Sequence, residues 1–140
     1  MPNKPLIKTN NSENTPCSIY WKCLLWLVLT ILLLLTLIPS PPKPINIDNI
    51  DKAYHLIAFA GFTFIFMIAF NNIKTRYLIL LSVSLGIIIE AIQYYVPNRS
   101  FSLADIIADS LGVFLGFISI GLLKNNLKKQ VLVKYFGITN

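Results

Sequence analysis

Four apolar runs, each near twenty residues long, limit what this chain can fold into more than any other feature. They lie at about 19–38 (IYWKCLLWLVLTILLLLTLI), 53–70 (AYHLIAFAGFTFIFMIAF), 77–96 (YLILLSVSLGIIIEAIQYYV) and 103–123 (LADIIADSLGVFLGFISIGLL). A helix rises about 1.5 Å per residue, so about 20 apolar residues cross the hydrocarbon core of a bilayer. Only 13% of the 140 residues are charged, against about a quarter in a soluble domain. No polar segment is large enough to cover four such helices in water. The expected fold is all-α: an integral membrane four-helix bundle with neighbouring helices antiparallel.

The flanks divide the chain into a polar N-terminus over 1–16, rich in Pro and Asn, a transmembrane domain over 17–123, and a basic tail over 124–140. The first segment reads as disordered and the tail as a short amphipathic helix on the inner leaflet. The first run is followed by "PSPPKP" and not by a small-residue cleavage site, so it reads as an uncleaved first helix. Placing both termini in the cytoplasm puts Lys4, Lys8, Lys22, Lys74, Arg76, Lys124, Lys128, Lys129 and Lys134 inside, and only Lys43, Lys52 and Arg99 outside. That asymmetry favours cytoplasmic termini. The net charge of +6 sits at the ends and in the gaps between apolar runs, which marks topology and lipid headgroups rather than nucleic acid as partner. Cys17 and Cys23 show no metal-ligand spacing and read as unpaired thiols on the reducing side.

With this topology, five of the six acidic residues, Asp48, Asp51, Glu90, Asp105 and Asp109, fall at the outer face or in the outer half of the membrane. The only histidine, His55, falls there too, as do Lys52, Gln93 and Arg99. At about 1.5 Å per residue, His55, Glu90, Gln93 and Asp109 all lie within about 10 Å of the outer helix ends. Asp51 and His55 are spaced i,i+4, which places them as a pair on one helix face. Gly86, Glu90 and Gln93 share a stripe of the third run; Asp105, Asp109, Gly112 and Gly116 share one of the fourth. Gly112 and Gly116 form a small-xxx-small pattern that lets another helix approach closely, so the aspartates on that stripe point inward. Capping accounts for some of these residues by itself: Asp48-x-x-Asp51 and Ser102-x-x-Asp105 both fit helix starts. Glu90, Gln93 and Asp109 lie too deep for that, and ionisable groups inside a membrane mark function or a paired network.

The layer contains groups for acid–base work in His55, Glu90 and Asp109. Lys52, Arg99 and two helix N-termini offer a seat for an anion such as a lipid phosphate. His55, Glu90 and Asp109 could equally coordinate a divalent cation, but one histidine with carboxylates and no metal-ligand motif is a weak signal. With no phosphate loop or nucleophile triad either, neither a metal nor a cofactor is expected.

Two segments, "DKAYHLIAF" (51–59) and "EAIQYYVPNRSFSLADIIADSLGVFLG" (90–116), resemble the VanZ-like family. The matching pattern is D-K-x-x-H, then E-x-x-Q, a P-x-R turn, and a D-x-x-x-N-x-x-G helix start. Here Asp109 stands where that family usually has Asn, and Asn98 where Gly is common; Asn tolerates the left-handed conformation. The resemblance implies a multi-pass protein of the bacterial inner membrane and cell envelope, and an association with low-level resistance to teicoplanin-type lipoglycopeptides. It implies a phenotype and not a reaction. The matching positions are Asp51, Lys52, His55, Glu90, Gln93, Arg99 and Asp105, which the depth argument also selects. Three functions are consistent with them: binding of an anionic lipid or lipid-linked cell-wall precursor, an enzyme acting on such a lipid through His55 and Glu90, or a polar network that only holds the helices in register while function comes from a partner protein.

Overall fold

The computed structural model describes residues 16–39, 50–127, 131–136 and 138. The chain forms α1 (Pro16–Leu37), α2 (Ile50–Ala69), α3 (Thr75–Gln93) and α4 (Leu103–Asn126), followed by a π-helical turn over Leu132–Phe136. Each of the four helices is long and apolar enough to cross a membrane. The expected segment 1–16, apart from Pro16, lies outside the described residues, as do residues 40–49 between α1 and α2.

The helix limits follow from local chemistry. Pro16 occupies the first turn of α1, where its missing N–H costs nothing, and α1 ends ahead of Pro39, as the restricted backbone before a proline requires. Ser102 caps α4 by accepting the Asp105 N–H at 3.2 Å. α3 stops at Gln93, three residues short of its apolar run. Beyond it the backbone tightens into successive turns, with Tyr95 N–H donating to Ile92 O and Val96 N–H to Gln93 O, both at 3.0 Å. The last turn closes through Arg99 N–H on Val96 O at 3.1 Å, with Asn98 at φ 61°. Pro97 followed by a residue at positive φ is the signature of a type II turn.

α2 and α4 make the closest helix pair, and two glycines allow it. A Cβ on Gly112 would strike the Leu56 carbonyl oxygen, and one on Gly116 would lie 2.6 Å from the Ala60 carbonyl oxygen. Backbone-to-backbone packing of this kind holds membrane helices together where no hydrophobic gain is available between them. α1 packs on α2 and α3, and α3 packs on α2 and α4. Outside, Trp26, Ile57, Leu80, Ile107 and Phe114 are more than half exposed; lipid covers such a surface, water does not.

The C-terminal segment differs from the expected surface helix. Its described part folds back onto α1: the Trp21 indole N–H donates to the Tyr135 carbonyl at 3.1 Å, and the Trp21 ring stacks on Phe136 with centroids 5.6 Å apart. Ile138 is buried with Met67, Ile68, Leu78 and Ile120. The start of α1 and the end of the chain therefore share one end of the bundle. The polar residues gather at the opposite end.

Candidate ligand-binding site

At that opposite end the C-termini of α1 and α3 meet the N-termini of α2 and α4. Glu90 and Asp109 are buried, at 0% and 1% exposure, and Gln93 and Asp105 are nearly so. Buried polar groups of this kind require partners, and most of them have one.

His55 and Asp109 form the first pair, with Nδ1 3.0 Å from Oδ1. With Asp109 ionised the carboxylate only accepts, and Nδ1 is then the protonated ring nitrogen. The i,i+4 spacing suggested Asp51 as the histidine's partner; instead Asp51 lies 3.5 Å from the Lys52 ammonium. The difference comes from helix packing. Gly112 and Gly116 bring α4 so close to α2 that Asp109 reaches His55 across the interface, while Asp51, half exposed, stays at the rim. Gly86 contributes from the other side: a Cβ there would sit 3.0 Å from Asp109 Oδ2, so glycine gives the aspartate its space against α3.

Glu90 organises a second chain of bonds. Its Oε1 accepts the Ser102 backbone N–H at 2.7 Å. The Gln93 carboxamide links it to Arg99: with the amide oriented to suit both neighbours, its nitrogen donates to Glu90 Oε2 and its oxygen accepts from Arg99 Nη1, both at 2.6 Å. Arg99 Nη2 donates on to the Leu35 carbonyl at 3.3 Å, which satisfies one of the carbonyls that the C-terminus of α1 leaves open. A single line of contacts thus runs from α4 through α3 and the turn to α1.

Lys52 remains on Asp51 at the rim and makes no described contact with the deeper groups. Asp105 enters the first turn of α4, but the capping box its spacing suggested is only half built. Ser102 Oγ takes the Asp105 N–H, whereas the Ser102 N–H that an acidic third residue normally accepts goes to Glu90. Asp105 Oδ1 is consequently buried with no hydrogen-bond partner among the described residues, and Asp109 Oδ2 is likewise buried without one. The nearest donor atoms of His55, Glu90 and Asp105 all lie within 4.8 Å of one another.

Beside this network is a cavity of about 260 Å³ lined by Leu32, Leu35 and Thr36 of α1, by Asp51, Tyr54, His55, Ala58 and Phe59 of α2, and by Ile89, Gln93 and Arg99. The α1 and α2 positions in this wall, other than Asp51 and His55, carry no signal in the sequence: Leu32 and Leu35 belong to a uniformly apolar run. The contribution of Ser102 is equally hidden, because its backbone N–H makes the contact.

Fold and site together define a multi-pass membrane protein of four helices with a buried polar network at one end of the bundle. A family model described as VanZ/LLP1 matches residues 22–124, and the chain belongs to that family. No curated protein and no solved structure matches it.

Proposed function

We propose that the polar end of the bundle faces the outer leaflet of the bacterial inner membrane and holds the anionic headgroup of an envelope amphiphile, a lipid or a lipid-linked cell-wall precursor. The observation that carries this reading is the cavity. Leu32, Leu35, Ala58, Phe59 and Ile89 give it an apolar wall, while Arg99 and Gln93 give it a polar end. Drug-sized ligands fill pockets of about 300–1,000 Å³, so about 260 Å³ takes a headgroup and the first part of a chain rather than a whole lipid. Arg99 can meet a phosphate or carboxylate in a two-pronged, charge-assisted contact. Occupancy of such a ligand, or competition for it, links the site to lipoglycopeptide susceptibility, the phenotype associated with the family.

The test uses full-length protein in nanodiscs of phosphatidylglycerol or phosphatidylcholine, followed by extraction and mass spectrometry of the retained lipid. The anionic lipid is retained preferentially, and Arg99→Ala abolishes the preference. Equal retention of both lipids by folded protein sinks the reading. The His55–Asp109 pair beside Glu90 favours a second reading, acid–base catalysis on the same ligand. Labelled lipid recovered chemically unchanged after incubation counts against it.

A further inference from the structure

We propose that His55, Glu90 and Asp105 form a binding site for one divalent transition-metal ion of the zinc or manganese class. The inference stands on this cluster alone and does not depend on what occupies the neighbouring cavity.

Three helices each supply one ligand: α2 gives His55, α3 gives Glu90, α4 gives Asp105. Their nearest donor atoms lie within 4.8 Å of one another. Nitrogen and oxygen ligands sit about 2.0–2.2 Å from zinc, so a ligand pair is separated by at most roughly twice that. On a tetrahedral ion such ligands stand about 3.4 Å apart, so closing the site from the 4.8 Å limit needs shifts of up to about 0.8 Å per side chain.

The partners of these residues point the same way. Asp105 is 9% exposed, yet its Oδ1 is buried with no hydrogen-bond partner among the described residues. The donor that would ordinarily satisfy it, the Ser102 N–H, is used by Glu90. A buried acceptor without a donor is costly, and a cation at the centre of the cluster answers that cost directly. Neither Glu90 nor Asp105 has an ion-pair partner among the described residues: Lys52 is held on Asp51, while Arg99 contacts Gln93 and the Leu35 carbonyl. Two carboxylates this close repel unless one takes up a proton or a cation joins them.

Asp109 completes the arrangement from outside the ligand set. With Asp109 ionised, its contact with Nδ1 at 3.0 Å sets the His55 tautomer, and Nε2 is then the nitrogen free to ligate. A carboxylate behind a metal-binding imidazole is a recurrent way of orienting the ring and raising its basicity. The donor set of one imidazole, two carboxylates and no thiolate suits zinc or manganese better than a soft ion. Three protein ligands also leave a coordination position open to water or to an oxygen of an anion.

The full chain, purified in detergent and stripped with a chelator, is titrated with Zn²⁺ and with Mn²⁺, and the Mn²⁺ form is examined by electron spin-echo envelope modulation. Wild type binds one ion per chain, and the Mn²⁺ spectrum carries the nitrogen coupling of one imidazole. Glu90→Gln and Asp105→Asn each weaken binding by at least about tenfold, and Asp109→Asn by about 10–100-fold with the nitrogen coupling retained. Absence of saturable binding at millimolar metal overturns the proposal, as does a Mn²⁺ spectrum without nitrogen coupling. Undiminished binding by folded Glu90→Gln and Asp105→Asn overturns it equally. Because the spectrum is read on wild type, it decides the matter even where a variant does not fold.

Discussion

The Ser102 backbone N–H donates to Glu90 Oε1 at 2.7 Å, so the residue that caps α4 is itself tied to the buried end of α3. The same carboxylate receives Gln93 on its other oxygen at 2.6 Å. Glu90 therefore fixes the turn between α3 and α4 and the position of Arg99. A helix start that usually depends on local sequence depends here on a residue twelve positions earlier.

Glu90→Ala leaves the Ser102 N–H and the Gln93 amide without their acceptor. At about 1–3 kcal/mol for each buried donor, the loss is about 2–6 kcal/mol. Glu90→Gln keeps one acceptor for Ser102 and costs roughly 1 kcal/mol. Thermal unfolding in detergent ranks them wild type, Gln, Ala; an Ala variant as stable as wild type removes Glu90 from its organising role.

The glycines separate packing from site. Gly112→Ala places a methyl against the Leu56 carbonyl and forces α2 and α4 apart, an overpacking expected to cost about 1–3 kcal/mol or more. Gly61, with open space around it, gains up to about 1 kcal/mol on replacement by Ala through helix propensity. Gly86→Ala is different, since the atom it meets is Asp109 Oδ2. It is expected to displace Asp109 from His55 while leaving the helices paired. A shift of the His55 ring resonances in NMR, at near-normal melting temperature, is the expected result.

Much of this end of the molecule was legible from depth alone. Glu90, Gln93 and Asp109 are too far inside their runs to be caps, and a membrane leaves such groups no choice but to face one another. Their pairing was not legible. The i,i+4 rule sees only partners on the same helix, so it pointed from His55 to Asp51, whereas Asp109 lies 54 residues away and is reached only because Gly112 lets α4 close on α2. The link from Ser102 to Glu90 runs through a backbone N–H, which every residue type but proline carries. Leu32 and Leu35 look like any lipid-facing leucines until α1 is laid beside Arg99. The end of α3 is hidden for a related reason: Tyr94, Tyr95 and Val96 are apolar enough to extend the helix, but the turn centred on Pro97 and Asn98 draws them out of it.

That turn supplies a cheap test of local strain. Asn98 sits at φ 61°, where a Cβ costs roughly 1–2 kcal/mol that Asn partly offsets and glycine avoids. Asn98→Ala is expected to lower stability by about 1 kcal/mol and Asn98→Gly to leave it unchanged or raise it. Equal melting temperatures for the Ala and Gly variants contradict a left-handed residue at this position.

Arg99→Lys measures how much of the role of Arg99 is geometry. One guanidinium reaches Gln93 through Nη1 and the Leu35 carbonyl through Nη2. An ammonium is a point charge with no fork and cannot hold both at those positions. The lysine variant is expected to keep one contact, lose about 1 kcal/mol of stability, and lose most of the preference for anionic lipid. Full retention of that preference assigns Arg99 only the role of a charge.

The orientation of the bundle decides whether the polar end meets the outer leaflet at all. The end that holds Trp21 and Tyr135 also holds Lys74, Arg76 and Lys124 near the helix ends, while the polar end holds Lys52 and Arg99. Basic residues in short loops are retained on the cytoplasmic side, so the turn over 97–102 is expected outside. In a background of Cys17→Ser and Cys23→Ser, a cysteine in place of Ser100 reacts with a membrane-impermeant maleimide in intact cells. One in place of Asn72, in the gap between α2 and α3, reacts only after the membrane is opened. The reverse labelling pattern turns the bundle over, places His55, Glu90 and Asp109 within the inner leaflet, and ends the case for an outward-facing envelope ligand.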